Sequence, residues 1–449
     1  MKFPEKLYAE HLGVVLGQHR EAMEEEGVGV LAISSGGPAM INYDDDHGPS
    51  APVAPNFARL APMVERPNDH VIVVAAASDK PLLLYNTAQG DFWQKPVPPP
   101  DNLGEFFDVR TFPDSGSVLD RVRRFGDVGF AHIGPREGIG KKDPEGLKAQ
   151  LEWNRRFKTP FEVECIRRAV QTAACGHLAA RDAFLAGDSE LGMHLAFLRA
   201  AGATDDQLAF PSIVSLDADT AWLHRPEKDP NHRNGERALV DAGTKYMGYN
   251  SDITTTWVND KENVHPVYLE LLAGLEKIQR KLCALIKPGF NFSGLHETAH
   301  LMIAELLLKV GILKNCFPVE AVSKRFTTAF LPHGLGHLLG IQTHDKGGKQ
   351  ASPSGGKLTP PSEKADDPLY SWLRKLNPLE KGEVVTIEPG IYFFKELLAP
   401  FRNGPDSRHF DWKLIDQLDG GMRLESDVLV LANGFKDLTA EVLKRKTNV

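Results

Sequence analysis

The rhythm of apolar and polar positions changes along the chain. HVIVVAAAS (70–78) and KPLLLY (80–85) are short apolar runs separated by a tight polar turn, and DVGFAHIG (127–134) is another. Runs of that length predict buried strands in the first third of the chain, mixed with helical patterns. QKPVPPPDN (94–102) is a proline-rich connection. At KTPFEVECIRRAV the period lengthens: Val163, Ile166, Val170 and Ala174 recur at helical spacing. Thr159 suits an N-cap, Pro160 the first helical position, and Glu162 stands three residues after the cap, a capping box that opens a long helix. Further helices are predicted at roughly 188–201, 265–286 and 294–310. Strands are predicted at RALVDAG, YNSDITTTW, GEVVTIEPG and RLESDVLVLA. The stretch 350–383, rich in Pro, Ser, Lys and Asp, reads as a long surface insertion of the functional or mobile kind. The mixture is α+β, and the capping box sets a division into residues 1–155 and 156–449.

At 449 residues the chain is too long for one ordinary domain, which agrees with that division. A net charge of −8 argues against a nucleic-acid partner. No apolar run approaches the 18 or so residues of a membrane span, and the charged start MKFPEKLYAEHLG is no signal peptide. Cys165, Cys175, Cys283 and Cys316 are widely spaced and form no CxxC, as expected of thiols in a reducing compartment. A cytoplasmic protein is the expectation.

Acidic residues stand where strands should be apolar. LVDAG ends a strand with Asp241, YNSDITTTW places Asp252 inside the next, VVTIEPG ends one with Glu388 before Pro389-Gly390, and RLESDVLV starts one with Glu425. Singly, each reads as a turn, cap or solvated residue. Together, four buried unpaired carboxylates would cost several kcal/mol each. Lys and Arg are scarce in these segments, apart from Arg423 two residues before Glu425. Two divalent cations would cancel the four charges. LPHGLGHLLGIQTHD (331–345) offers His333, His337 and His344 as a further ligand. Pro332, Gly334 and Gly336 make this a poor helix. In an extended chain His333 and His337 share a face and His344 takes the other, so all three converge only if the chain bends, with Gly340 the natural place. Spacing alone leaves open which histidine binds metal.

These segments together resemble the metal-dependent Xaa-Pro peptidases of the pita-bread fold, a family that includes methionine aminopeptidase, aminopeptidase P and prolidase. The resemblance to bacterial Xaa-Pro dipeptidases runs essentially the full length. It includes NYDDDHGP, FKTPFEVECIRRA and ELLAPFRNGPDSRHFDWKLIDQLDGGMRLE. It implies a pita-bread catalytic domain behind a smaller α/β, creatinase-type N-terminal domain. It implies two divalent metal ions per subunit, with Asp241 on one, Asp252 and Glu425 bridging, and His337 with Glu388 on the second. An oxygen-rich set with one imidazole suits Mn²⁺ or Co²⁺, with Zn²⁺ still open.

The resemblance also implies that Glu388 shuttles a proton, that His344 or His224 (in AWLHRP) stabilises an oxyanion, and that His333 faces substrate. Arg423 would grip the carboxylate of a dipeptide ending in proline. A homodimer is implied, with Asp45 and Trp93 as candidates for reaching a partner's site. Thr255, where relatives carry arginine, and Phe210 and Phe292, where tyrosines are expected, are departures that bear on the substrate pocket. The alternatives are aminopeptidase P-like cleavage of longer Xaa-Pro peptides and a non-catalytic binding module on the same fold. Organophosphate triester hydrolysis is an expected side activity.

Overall fold

The computed structural model describes residues 3–37, 52–76, 78–89, 95–126, 129–136, 140–259, 263–360 and 367–446, with side chains to 443. Asp45, Trp93 and the NYDDDHGP segment lie outside the described residues.

The apolar runs of the first third form one mixed sheet. β1 (Val30–Ser34), β2 (Val71–Ala75), β3 (Leu82–Asn86), β4 (Asp108–Phe112), β5 (Phe130–Ile133) and β6 (Lys141–Lys142) lie in the order β4-β3-β2-β1-β5-β6. β2 and β3, the two runs joined by a short turn, pair antiparallel, whereas β1 and β5 pair parallel. The helix Glu5–Glu25 contributes Tyr8, Leu12, Val15 and Leu16 to a core that continues into Phe161, Ile166 and Val170 of the helix Pro160–Leu185.

That helix opens on the expected capping box: Thr159 Oγ1 accepts from the Glu162 N–H, and the Glu162 carboxylate accepts from the Thr159 N–H. Glu162 is also buried against Arg59 at 3.1 Å and accepts from the Tyr249 hydroxyl at 2.9 Å. One carboxylate thus ties the N-terminal sheet region, the helix start and a later strand. Burial alone would raise its pKa. The Arg59 guanidinium, then His11 and the Thr159 N–H, outweigh this and hold it at about 2 against an ordinary 4.5.

Because the folded-state pKa lies below the unfolded one, this stabilisation is complete above about pH 4.5 and is lost as pH falls toward 2; it amounts to about 3 kcal/mol. Glu162→Gln is therefore expected to lower the unfolding free energy at pH 7. In urea unfolding, its deficit against the parent should narrow by more than about half between pH 7 and pH 3. A deficit independent of pH would remove the ion pair as its origin.

The remainder builds two three-stranded sheets and three two-stranded pairs. β7 (Ile213–Leu216), β8 (Arg237–Asp241), β9 (Lys245–Tyr246), β10 (Tyr249–Asn250) and β11 (Thr254–Val258) come first. β8 sits between β11 and β7, antiparallel to both, while β9 and β10 form a separate hairpin. β12 (Gln350–Ser352) and β13 (Gly355–Lys357) form another hairpin. β14 (Val384–Ile387), β15 (Gly390–Tyr392), β16 (Gly421–Arg423), β17 (Ser426–Leu431) and β18 (Gly434–Asp437) complete the set, in the order β14-β17-β18 with β15 paired to β16. The helices Pro266–Ala284 and Phe292–Lys309 cover them, packing Leu275, Ile278, Leu295 and Ile303 around Val385, Ile387 and Val428.

The stretch 350–383 is not wholly a surface insertion. Leu369, Leu373, Lys375, Asn377 and Leu379 are buried. Lys375, hydrophilic by type, is inside because Glu383 meets its ammonium at 2.9 Å, together with Asn377 at 2.6 Å. Phe292 is also buried, in the helical core, and Thr255 gives its hydroxyl to His177 at 3.0 Å.

Candidate metal centre

β8 delivers Asp241 at its end, where Thr254 of β11 pairs with it. Asp252 is not inside a strand. The run YNSDITTTW breaks at 251–253, between β10 and β11, and Asp252 occupies the break. Its N–H, freed from the ladder, donates to Asp427 Oδ2 at 3.1 Å. Glu388 follows β14, which Pro389 terminates. Glu425 precedes β17; its N–H donates to Thr254 O at 3.0 Å and its carboxylate accepts from the Thr254 hydroxyl at 2.7 Å.

Residues 335–339 run beside β14 as an added strand, with Thr386 N–H to His337 O and Glu388 N–H to Leu335 O, each 2.9 Å. The approach is so close that a Cβ on Gly336 would lie 2.0 Å from Thr386 O, which only glycine allows. The chain then reverses: Asp345 N–H donates to Leu338 O at 2.8 Å and Gly340 N–H to Gln342 O at 3.1 Å. This is the bend that the parity of the three histidines requires, and it brings the His344 ring edge-on to His337, 4.4 Å between centroids. The reversal is tied from outside. Asp345, buried beside His344, is ion-paired to Arg155 and to Lys158, the latter at 3.2 Å, and Arg155 also bonds Gln342 at 2.7 Å.

Asp241, Asp252, His337, Glu388 and Glu425 all line one cavity of about 730 Å³. Ligand atoms of Asp252, His337 and Glu425 lie within 4.8 Å of one another. His337 Nδ1 is 3.0 Å from Leu338 O, so it carries the proton, and the bare Nε2 faces Asp252 Oδ2 at 3.3 Å and Glu388 Oε1 at 3.8 Å. Burial holds the His337 pKa at about 4, hence a neutral ring at pH 7.

Burial, then Asp241 and Glu388, push the Asp252 pKa well up; burial, then Asp252 and Asp241, do the same to Glu425. Glu388 is raised by burial and by Glu425. Asp241 Oδ1 is buried with no hydrogen-bond partner. A cluster of carboxylates resisting ionisation, one with an orphaned oxygen, beside one bare imidazole nitrogen, fits dications.

Arg423 is the nearest compensating charge, and each of its three nitrogens already donates once. Its Nε donates to Thr254 Oγ1 at 3.1 Å, one terminal nitrogen to the Tyr392 hydroxyl at 2.8 Å, and the other to Asp241. The Tyr392 hydroxyl in turn meets His333 Nε2 at 3.0 Å, while His333 Nδ1 bonds Gly334 O at 2.9 Å. His333 and His344 are both held near pKa 3, by burial first, then by Arg423 for His333 and His337 for His344. His224, Phe210, Ile213 and Leu223 form the facing wall.

Four residues at the site were missed from sequence. Tyr392 lies four residues beyond Glu388, in an aromatic strand following the turn. Asp427 shares the parity of Glu425, two positions on. Trp372 and Arg374 line the cavity from within the supposed insertion, where exposed 372 and 374 alternate with buried Leu373 and Lys375. Among the described residues Arg374 has no hydrogen-bonding or ion-pairing partner, in contrast to Arg423.

Two other arrangements hold no comparable promise. Glu190, Asp219 and His232 come together, but Glu190 is saturated by the Leu216 and Asp229 N–H groups and Arg225. His296-Glu297-Thr298-Ala299-His300 has HExxH spacing on a helix, with His296 Nε2 on Leu369 O and His300 Nδ1 on Thr327, but among the described residues the pair does not gather with a third donor into a metal-sized group.

Comparison with known proteins gives a consistent picture. The model of metallopeptidase family M24 matches residues 164–432, and that of the Xaa-Pro dipeptidase N-terminal domain matches 6–148. The chain is 37% identical to the Xaa-Pro dipeptidase of Marinobacter nauticus over 442 residues, 96% of this chain and 97% of that one. It is 33% identical to the Xaa-Pro dipeptidase of Escherichia coli O1:K1, over 97% and 98% of the two chains. Among solved structures, proline aminopeptidase P II from Yersinia pestis superposes with a TM-score of 0.72 at 20% identity, over 95% and 96% of the chains. An Escherichia coli aminopeptidase P with the inhibitor Pro-Leu gives 0.71, also at 20%, over 95% and 94%. These structural likenesses speak to the fold: a pita-bread catalytic region behind an N-terminal α/β domain.

Proposed function

The chain belongs to metallopeptidase family M24, and on that premise we propose that it is an Xaa-Pro dipeptidase, hydrolysing the bond before a C-terminal proline. The reading rests on one observation above all: five donors of the right kind, from five separate segments, line one cavity around an orphaned carboxylate oxygen. Asp241, Asp252, His337, Glu388 and Glu425 would hold two divalent ions, Mn²⁺ first, with Co²⁺ or Zn²⁺ the other candidates. Bound there, such ions supply Lewis acidity and lower the pKa of a water.

The remaining work falls to the chain's own groups. Glu388, the ligand on the cavity side, takes the proton of the attacking water and passes it to the departing prolyl nitrogen. His344 and His224 offer N–H donors to the developing oxyanion. His333, whose two ring nitrogens are held by Tyr392 and Gly334, presents a fixed ring face to the peptide. Arg423 offsets the charge of Asp241, since each of its three nitrogens already donates within the protein. The grip on the free carboxylate falls to Arg374, which lines the cavity and has no partner among the described residues.

The reading includes a division at 155/156, a homodimer and a cytoplasmic setting. Four cysteines without a disulfide agree with a reducing compartment, and no helix among the described residues is long and apolar enough to cross a membrane.

The test is to strip the purified chain with a chelator and resupply Mn²⁺, with Ala-Pro and Ala-Pro-Gly as substrates. Ala-Pro cleavage should be absent before resupply and afterwards exceed that of the tripeptide by more than about tenfold. A faster tripeptide would favour aminopeptidase P-like activity. Metal uptake without cleavage of either would favour a binding module.

A further inference from the structure

Trp372 is 69% exposed. A large aromatic ring left in water asks for an explanation when it stands on a cavity wall rather than alone on the surface. Looseness is not the explanation, for the segment around it is fixed on both sides. Arg325 grips Asp367 with two nitrogens at 2.7 and 2.6 Å. Leu369 O is bonded to His296, the Tyr370 hydroxyl to Glu297, and Lys375 to Glu383 and Asn377. The backbone also lies directly on the histidine segment: a Cβ on Gly334 would be 2.8 Å from Trp372 O and 2.9 Å from Leu373 Cα. A rigid segment thus holds an exposed indole on the wall of the cavity that His333 also lines.

We propose that Trp372 is a specificity-determining residue: it forms the wall against which the proline ring of the substrate packs. The inference rests on the dipeptidase reading and deepens it. Trp372 and Arg374 share a face because Leu373 between them turns into the core. Trp372 closes a turn and stands two residues from Arg374, so their Cα atoms are at most about 7 Å apart. A pyrrolidine ring is bonded directly to the carbon bearing the terminal carboxylate. With that carboxylate on Arg374, the ring, and not the side chain of the preceding residue, comes beside Trp372. Its C–H bonds, polarised by the adjacent amide nitrogen, meet the electron-rich face of the indole. The two side chains together read a C-terminal proline, one through charge and one through shape.

The test compares the Mn²⁺-loaded parent with Trp372→Ala and Trp372→Phe. The ligands are L-proline and sarcosine, which keeps the secondary amine and carboxylate but lacks the ring, and their binding is measured by calorimetry. Trp372→Ala should weaken L-proline about tenfold and sarcosine by less than about twofold, while Trp372→Phe keeps L-proline within about threefold. With Ala-Pro as substrate, Trp372→Ala should raise KM about tenfold and change kcat by less than about threefold. Unchanged L-proline binding in Trp372→Ala, an equal loss for sarcosine, or no L-proline binding by the parent would each overturn the proposal. A parent that binds L-proline but cannot cleave Ala-Pro would sink the dipeptidase reading while leaving the ring-packing measurement decisive.

Discussion

Replacing His337 with alanine should lower kcat/KM for Ala-Pro by at least about a thousandfold and leave the protein with one divalent ion fewer than the two proposed for the parent. His337 is the one neutral donor in the proposed set, and its bare Nε2 is aimed between Asp252 and Glu388. Without it, those two carboxylates face each other across a gap with no uncharged ligand to share an ion. The backbone is expected to stay in place, because the bonds of residues 335–339 to β14 run through main-chain atoms. Metal analysis after dialysis, paired with circular dichroism, checks this. A parent-like metal content in His337→Ala would transfer the ligand role to His333 or His344.

The second large effect separates the two arginines. Arg374→Ala should lose about a hundredfold in kcat/KM on Ala-Pro, yet less than about threefold on the amide Ala-Pro-NH₂, which has no carboxylate to grip. Arg423→Ala should lose about as much on both, because it acts on Asp241 and, through Tyr392, on His333. It takes a positive charge away from Asp241, so metal retention should persist while turnover falls. If instead Arg423→Ala proved selective for the free dipeptide, the carboxylate grip would return to Arg423, as the family resemblance first suggested.

Much of this arrangement is written in local pattern. The apolar runs at 71–75 and 82–86 and the Thr159/Glu162 capping box depend on neighbours a few residues away, and the structure bears them out. The acidic residues at strand ends could be suspected because each breaks a local rule. What escaped depends on distant partners. The commitment of Arg423 to Asp241 joins positions 182 residues apart. The break that frees Asp252 is set by Asp427, an acid that local pattern gives no reason to bury. Lys375 made 350–383 look like surface, since a buried lysine is intelligible only once Glu383 and Asn377 stand beside it. Arg374 and Trp372 were hidden by the same composition.

The clamp on the histidine loop has a practical corollary for anyone cutting this molecule in two. Arg155, which ion-pairs with Asp345, is the last residue before the proposed division. A fragment started at 156 would retain every candidate ligand and still lack one of the two cations fastening the neighbour of His344. The smaller half of the chain is a buttress for the larger, and a truncated catalytic piece should be started upstream of that arginine.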